Sequence, residues 1–262
     1  MRYFDAHCHI QFPHYDEDRD TVMAAMRNAE VGGLVVGTDL VSSQKAVELV
    51  QGSETLWATV GLHPNSANEW GGNRAYRELL KDPKVVGVGE CGLDNYRPED
   101  PAATKAKQRE VFEAHIALAV ESNKPLMIHS RPSKGTSDAY RDMLDILRAA
   151  KNENSDLRGN IHFFVGGVEE AKAFLELDFT LSFTAVLTFA RDYDEVVSYV
   201  PLSHIISETD APYIAPPPNR GKRNDPLAVI PVVEAIAGIR NEELETVRIQ
   251  VLENARKLFK LT

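Results

Sequence analysis

The sequence has 262 residues, 43% hydrophobic and 26% charged, a composition typical of a globular protein large enough to bury a substantial core. Its net charge of −10 argues against a protein that coats long nucleic acids, because such binding needs dense lysine and arginine contacts with phosphates. No apolar run of 18 residues occurs and no secretory signal pattern opens the sequence, so neither a membrane span nor export is expected.

Short apolar runs alternate with amphipathic segments along the chain. The runs are rich in valine, isoleucine, leucine and phenylalanine and are mostly apolar on both faces, as buried parallel strands are. They predict eight strands, in chain order Tyr3–Ile10, Gly33–Gly37, Leu56–Leu62, Val85–Glu90, Pro125–His129, Asn160–Phe164, Phe179–Phe183 and His204–Glu208.

Segments with a helical period separate these runs. In three of them the apolar positions share one helix face: Val22, Met26 and Ala29; Val111, Ala114 and Leu118; and Leu244, Val247, Val251, Ala255 and Leu258. Eight strands alternating with helices over about 250 residues match an α/β protein of the (β/α)8 TIM-barrel class. We therefore expect one domain over residues 1–262, with its chemistry where strands end and loops begin.

Residues able to bind metal fall at these strand ends. His7 and His9 are two positions apart, so both imidazoles point to one face of the first strand and can share a divalent cation. Asp5 is expected to share that face and to orient a ligand. Four histidines and two carboxylates suffice for two metals that share a bridging ligand and activate water. The later candidates are His63, Glu90, Asp94, His129, His162, Glu208 and Asp210.

These residues belong to motifs that resemble the TatD family of metal-dependent deoxyribonucleases, within the amidohydrolase superfamily. The resemblance covers nearly the full length of the chain and implies a barrel of the metallo-dependent hydrolase type. The motifs are Asp5-Ala-His7-Cys-His9, Gly61-Leu-His63-Pro64, Gly89-Glu90-Cys-Gly-Leu-Asp94, His129-Ser-Arg131, and Glu208-Thr-Asp210-Ala-Pro212 continuing to Asn224.

The resemblance implies two metal sites. Glu90 would bridge both ions, and Asp210 would also orient the attacking water and take its proton. The cofactors would be two divalent metal ions, with Mg²⁺, Mn²⁺ and Zn²⁺ all open, since mixed histidine and carboxylate ligands do not select one. The implied ligands are His7, His9 and Asp210 for the first metal, and Glu90, His129 and His162 for the second.

A second group of residues is expected to contact the substrate. By the resemblance, His63 faces the substrate as a further catalytic residue. The basic loop around residues 220–223 can add phosphate contacts, or it can be a solvated surface turn. Departures from the usual family pattern at Gln11, Asn95, Phe163, Val165 and residues 132–136 concern substrate preference and not metal ligation. The predicted substrate contacts are His63, Tyr96, Arg131, Arg220, Lys222 and Arg223.

The leading hypothesis is hydrolysis of phosphodiester bonds in DNA, with RNA left open as a substrate. The resemblance suggests 3′–5′ exonuclease action on single strands. The alternative is hydrolysis at carbon by a deacylase (including one acting on aminoacyl-tRNA), a lactonase or an amidase, because one scaffold serves many reactions. Glu90, in place of the lysine often carbamylated in such relatives, favours the phosphate substrate. A metal-dependent binding or scaffolding protein is a third interpretation, which the complete ligand set disfavours.

The remaining histidines and the two cysteines are expected to be non-catalytic. His14 and His204 lie outside any motif, and His115 lies on an apolar helical stripe. Cys8 and Cys91 each neighbour a predicted ligand, so their thiols should point away from the metals, and they do not indicate a disulfide framework. A cytoplasmic location without an obligate protein partner is expected.

Overall fold

The computed structural model describes residues 1–96 and 101–261. Within these ranges eight parallel strands form one sheet in the order of the chain. Each overlaps the run predicted for it, and the predicted (β/α)8 barrel is confirmed. The strands are Tyr3–Cys8 (β1), Val31–Val36 (β2), Leu56–Val60 (β3), Val85–Asp94 (β4), Leu126–Arg131 (β5), Gly159–His162 (β6), Thr180–Phe183 (β7) and Ile205–Ser207 (β8).

Helices follow most of the strands. In the part of the chain that the structure describes, the α-helices are Arg19–Asn28 (α1), Leu40–Val50 (α2), Arg74–Leu79 (α3), Pro101–Ser122 (α4), Asp138–Glu153 (α5), Val168–Leu175 (α6), Asp194–Tyr199 (α7), Val229–Arg240 (α8) and Leu244–Phe259 (α9). None of these described helices is long and apolar enough to cross a membrane. The predicted stripe on α9 is buried except at Leu244, which opens the helix and is 39% exposed.

The interior of the barrel is filled at its N-terminal side. A cluster of apolar side chains fills this side and includes Ala6, Val86 and Met127. Further along the same three strands come the candidate ligands His7, Glu90 and His129. Because α9 contributes to the same cluster, it packs at this side and leaves the carboxyl ends of the strands to the polar groups. The cluster contains Phe4, Ala6, Leu34, Val36, Trp57, Val86, Met127 and Ile206 with Leu252, Ala255, Leu258 and Phe259.

Hydrogen bonds at the carboxyl ends join β1 to the segment after β8. The main-chain N–H of Asp210 donates to the carbonyl of His7 (2.8 Å), and the N–H of His9 donates to the carbonyl of Ala211 (2.7 Å). The buried carboxylate of Asp5 accepts hydrogen bonds from the N–H groups of His7 (3.1 Å) and Thr209 (2.8 Å) and from the Thr209 hydroxyl. This seam therefore fixes the backbone that carries candidate ligands on both sides.

The expected role of Asp5 requires a correction. The pairing of β1 with β2 shifts register between Asp5 and Cys8, so the regular alternation of side chains is interrupted before His7. Asp5 consequently holds main-chain groups and the Thr209 hydroxyl, and not a ligand imidazole as the alternation alone predicted.

Candidate metal centre

The first donor set consists of His7, His9 and Asp210, where β1 ends and the segment after β8 begins. The Nε2 atoms of His7 and His9 lie 3.2 Å apart. The Oδ1 atom of Asp210 lies 3.8 Å from Nε2 of His7 and 3.5 Å from Nε2 of His9. Asp210 has a left-handed backbone (φ 54°), held by its bond to the carbonyl of His7. Three donors therefore converge on one point.

The second donor set consists of Glu90, His129 and His162, from the ends of β4, β5 and β6. His129 and His162 are paired directly across neighbouring strands, which places their rings side by side at the barrel mouth. The Oε1 atom of Glu90 lies 3.0 Å from Nδ1 of His129 and 3.3 Å from Nε2 of His162. Consecutive parallel strands thus deliver the second set.

Glu90 lies between the two sets. While Oε1 faces the second set, Oε2 lies 3.3 Å from Nε2 of His7 and 3.9 Å from Nε2 of His9. The ring of His7 also stacks on that of His162 at 3.7 Å between centroids, so the sets adjoin. One carboxylate with an oxygen toward each set has the geometry that a bridging ligand requires.

The charges of Glu90 and His7 suit metal binding, whereas neighbouring carboxylates outweigh burial and raise the pKa of His9, His129 and His162, which would have to release a proton to bind a cation. Burial would raise the pKa of Glu90, but the imidazoles of His63, His7 and His162 outweigh it and hold that pKa well below its ordinary value. Burial lowers the pKa of His7 to about 3, so this ring is neutral at neutral pH. Ionised carboxylates and neutral imidazoles are the forms that ligate a cation.

The spacing of the donor atoms also fits. Donors bound to one ion at about 2.0–2.2 Å lie roughly 3.0–3.6 Å from their neighbours in a tetrahedral or octahedral arrangement. The five separations given above within the two sets run from 3.0 Å, between His129 and Glu90, to 3.8 Å, between His7 and Asp210. Each set can therefore close around a divalent cation with small adjustments.

Three of the four imidazoles place their other ring nitrogen on an acceptor. Nδ1 of His9 donates to the carbonyl of Val36 (2.8 Å). Nδ1 of His162 lies 3.1 Å from the fully buried carboxylate of Glu208, and Nε2 of His129 lies 3.3 Å from Asp94. Such partners orient metal-binding histidines. Glu208 and Asp94 both belong to the motifs found in the sequence. That each one faces a ring nitrogen of a candidate ligand depends on the orientation of the ring, which the sequence does not show.

Three predicted substrate contacts lie beside the second set. His63 and Arg131 line the same cavity as the donor sets, and so does Asp94, which was not among the predicted substrate contacts. Nε2 of His63 lies 3.5 Å from Oε1 of Glu90. The guanidinium of Arg131 lies over the ring of Tyr96, 4.0 Å from its centroid. The structure thus brings His63 and Arg131 to the site, with Tyr96 supporting the arginine.

The basic loop is placed differently. Arg223 makes two hydrogen bonds to the carboxylate of Asp18, at 2.8 and 2.6 Å. Arg220 stacks its guanidinium on the ring of Phe189 at 3.4 Å. Lys222 is exposed, and these three basic residues lie outside the described lining of the cavity. Substrate binding by the loop therefore stays a prediction, and Arg223 has a structural partner that its sequence neighbourhood did not reveal.

The cavity at the barrel mouth measures about 760 Å³ and has an aromatic part that the sequence analysis missed. Phe12 lies parallel to the ring of His9, with centroids 4.5 Å apart and planes 9° apart. Tyr213 also lines the cavity and is 47% exposed. Both residues closely follow predicted ligands, and that proximity was the only signal in the sequence.

The side chains of Cys8, Cys91 and His115 lie away from the donor sets, and His204 lies 3.2 Å from Asp178, whereas the ring of His14 lies 6.3 Å from that of Tyr213 at the cavity. Cys8 and Cys91 are free and buried, with their sulfur atoms facing main-chain carbonyls of Leu34 and Met127. His115 is buried and joins α4 to the loop before His63 by accepting the N–H of Leu62 (3.0 Å).

Comparison with known proteins gives the family. The profile of the family described as TatD related DNase matches residues 4–260. An uncharacterized metal-dependent hydrolase of Bacillus subtilis, YabD, is 36% identical, with 98% of this chain and 99% of that protein covered. A 3′-5′ ssDNA/RNA exonuclease TatD of Erwinia billingiae is 33% identical, with 98% and 99% covered.

Solved structures agree on the fold. The TatD homologue YjjV of Escherichia coli K12 superposes with a TM-score of 0.89 at 24% identity, covering 100% of this chain and 99% of that one. A TatD family hydrolase of Entamoeba histolytica gives 0.84 at 20% identity, covering 99% and 98%. The chain belongs to the TatD family of metal-dependent hydrolases.

Proposed function

We propose that the protein hydrolyses phosphodiester bonds of DNA and removes nucleotides from the 3′ end of single strands, using two divalent ions. The observation that carries the proposal is Glu90, whose two carboxylate oxygens face different donor sets. Such an arrangement suits two ions about 3.5–4 Å apart, the spacing used for displacement at phosphorus. Similar proteins described as 3′-5′ ssDNA/RNA exonucleases support the choice of substrate.

Each nearby side chain has a role in this reaction. When bound, the two ions would supply positive charge that stabilises the displacement at phosphorus and favours ionisation of water. Asp210 lines the cavity at the edge of the first set and would take the proton of the attacking water. Arg131 would pair with a phosphate oxygen, because it lines the cavity and its guanidinium is positioned over the ring of Tyr96.

His63 is suited to donate a hydrogen bond. Burial lowers its pKa to about 4, so the ring is neutral at neutral pH. Its Nδ1 accepts the N–H of Asn65 (3.1 Å), which leaves the ring hydrogen on Nε2. That N–H lies beside Glu90 in the cavity and would donate to an oxygen of the phosphate.

Digestion of labelled oligonucleotides tests the proposal. Single-stranded DNA carrying the label at either end is incubated with protein in Mg²⁺ or Mn²⁺, beside RNA of the same sequence. We expect stepwise loss from the 3′ end, no cleavage by Glu90→Ala, and a rate about 10²–10⁴-fold lower for Asp210→Asn, which lacks the general base. Asp145→Asn, an exposed carboxylate on α5, is the matched control and should leave the rate unchanged.

Each outcome bears on a different part of the proposal. Shortening from the 5′ end would overturn the polarity but keep the phosphodiesterase. Protein that holds two ions by elemental analysis and cleaves neither DNA nor RNA would contradict the proposal. Hydrolysis of carboxylic esters or amides by that same protein, lost in Glu90→Ala, would establish the carbon-centred alternative.

A further inference from the structure

The cavity has two unlike flanks on either side of the donor sets. The aromatic flank consists of Phe12 and Tyr213, beside the first set, where β1 ends and the chain leaves β8. The polar flank consists of His63, Asn65 and Arg131, beside the second set. Phe163 and Tyr193 also line the cavity, and the ring of Phe163 lies 6.1 Å from that of His162 in the second set. Phe12 and Tyr213 are therefore the aromatic residues beside the first set, where a substrate with its reacting phosphate between the sets would meet them.

Tyr213 is the accessible member of the aromatic flank. Its side chain is 47% exposed although it lines the cavity, and its ring centroid lies 6.4 Å from that of His9. Phe12 supports the same flank, because it is partly buried and stacks on His9. A large ring held half open beside the site leaves apolar area that a bound ligand can cover.

We propose that Tyr213 stacks on the nucleobase next to the scissile phosphate, with Phe12 completing that face of the subsite. The inference rests on the proposed phosphodiesterase function and adds the part of the substrate that the aromatic flank recognises. Stacking on an aromatic ring accepts any base, because every base has a π face. It also requires a base that has left its neighbours in a helix, so the subsite selects unpaired ends of any sequence.

The test combines protein variants with substrates that lack one base. Cleavage of a single-stranded oligonucleotide is compared with that of two otherwise identical strands, one abasic at the 3′-terminal nucleotide and one at the preceding nucleotide. Base–aromatic stacking predicts that Tyr213→Ala raises KM on the complete strand by roughly 5- to 150-fold. On one of the abasic strands the wild type and Tyr213→Ala should differ by less than about twofold, because no stacking remains to be lost.

Two further variants separate stacking from other effects. Tyr213→Phe keeps the ring and should behave as wild type, which excludes a role for the hydroxyl. Tyr199→Ala removes a tyrosine of nearly equal exposure (45%) on α7, outside the described cavity lining, and should change nothing.

The outcomes are distinguishable. An equal effect of Tyr213→Ala on all three strands, or no effect on any, overturns the stacking subsite while the phosphodiesterase stands. Absence of wild-type cleavage on every strand overturns the proposed function and the subsite with it. A KM effect confined to strands that carry the base establishes the subsite.

Discussion

Replacing Asp94 by asparagine tests whether a carboxylate behind His129 prepares that imidazole for a metal ion. The Oδ2 atom of Asp94 lies 3.3 Å from Nε2 of His129 and accepts from the side chain of Asn65 (3.2 Å). Its Oδ1 atom accepts the N–H of Tyr96 (2.9 Å). For Nδ1 of His129 to bind a cation beside Glu90 it must lose its hydrogen, while Nε2 keeps its own toward Asp94.

The magnitude follows from these contacts. Asparagine can keep an oxygen toward Tyr96, but its NH2 group then faces two donors, on His129 and Asn65. The ring can relieve this conflict by carrying its hydrogen on Nδ1, which removes the lone pair needed for the metal. A hydrogen bond to a charged group contributes about 1.5–3 kcal/mol. Loss of such a carboxylate lowers metal affinity about 10–100-fold, or roughly 1.4–2.8 kcal/mol, in agreement.

The assay is a Mn²⁺ titration of metal-free protein against a chelating fluorescent dye. We expect one of the two ions to bind about 10–100-fold more weakly in Asp94→Asn, while the other changes by less than about threefold. Asp145→Asn is again the matched control, and thermal unfolding of the metal-free proteins checks that the fold is retained. Two ions bound with wild-type affinities by folded Asp94→Asn protein would refute the reasoning.

Three further predictions concern stability. Burial lowers the pKa of His115 to about 4 from its ordinary 6.5. Between these two pH values the imidazole is therefore protonated in the unfolded chain and neutral in the folded protein. Stability present above pH 6.5 is therefore lost as the pH falls, by about 2 kcal/mol at pH 5, and urea unfolding should show a smaller loss in His115→Gln. A Cβ on Gly92, whose φ is also positive, would lie 2.0 Å from the carbonyl oxygen of His129, so Gly92→Ala should lower the free energy of unfolding by about 1–3 kcal/mol more than Gly221→Ala does. A Cβ on Gly221 would have no atom within 4 Å, so Gly221→Ala should lower the free energy of unfolding only by the strain of a left-handed backbone, roughly 1–2 kcal/mol. Equal losses of stability in the two variants would contradict the steric argument. Divalent metal at 100 times its dissociation constant should add about 2.7 kcal/mol, or roughly 5–10 °C in melting temperature, and Glu90→Ala should abolish this shift; an unchanged shift would place the ion elsewhere.

The barrel could be predicted from the sequence because buried parallel strands leave a pattern that needs no knowledge of contacts. Val85–Val88 followed by Glu90 shows the principle: an ionisable group directly after an apolar run needs a partner where the strand ends. The same reasoning gave a larger set of candidates at the strand ends, from which the family resemblance implied six donor groups, and the structure brings those six into two adjoining sets. Their binding of metal stays a prediction.

The remaining features depend on geometry that a sequence does not display. Asp5 was misplaced because the register shift in β1 breaks the alternation on which its prediction rested. Arg223 looked like a free cation, whereas its partner Asp18 lies 205 positions earlier in the chain. The roles of Asp94 and Glu208 depend on which ring nitrogen each one faces.

The seam between β1 and the segment after β8 has a consequence for synthesis of the protein. Asp5 and Thr209 are 204 positions apart, and the hydrogen bonds between them hold together the two halves of the first donor set. A chain still growing on the ribosome has His7 and His9 long before it has Asp210. An ion captured before Asp210 is made would lack one of the three donors of that set and would exchange more readily. Binding of an ion by the complete first set therefore has to wait until the segment after β8 docks on β1.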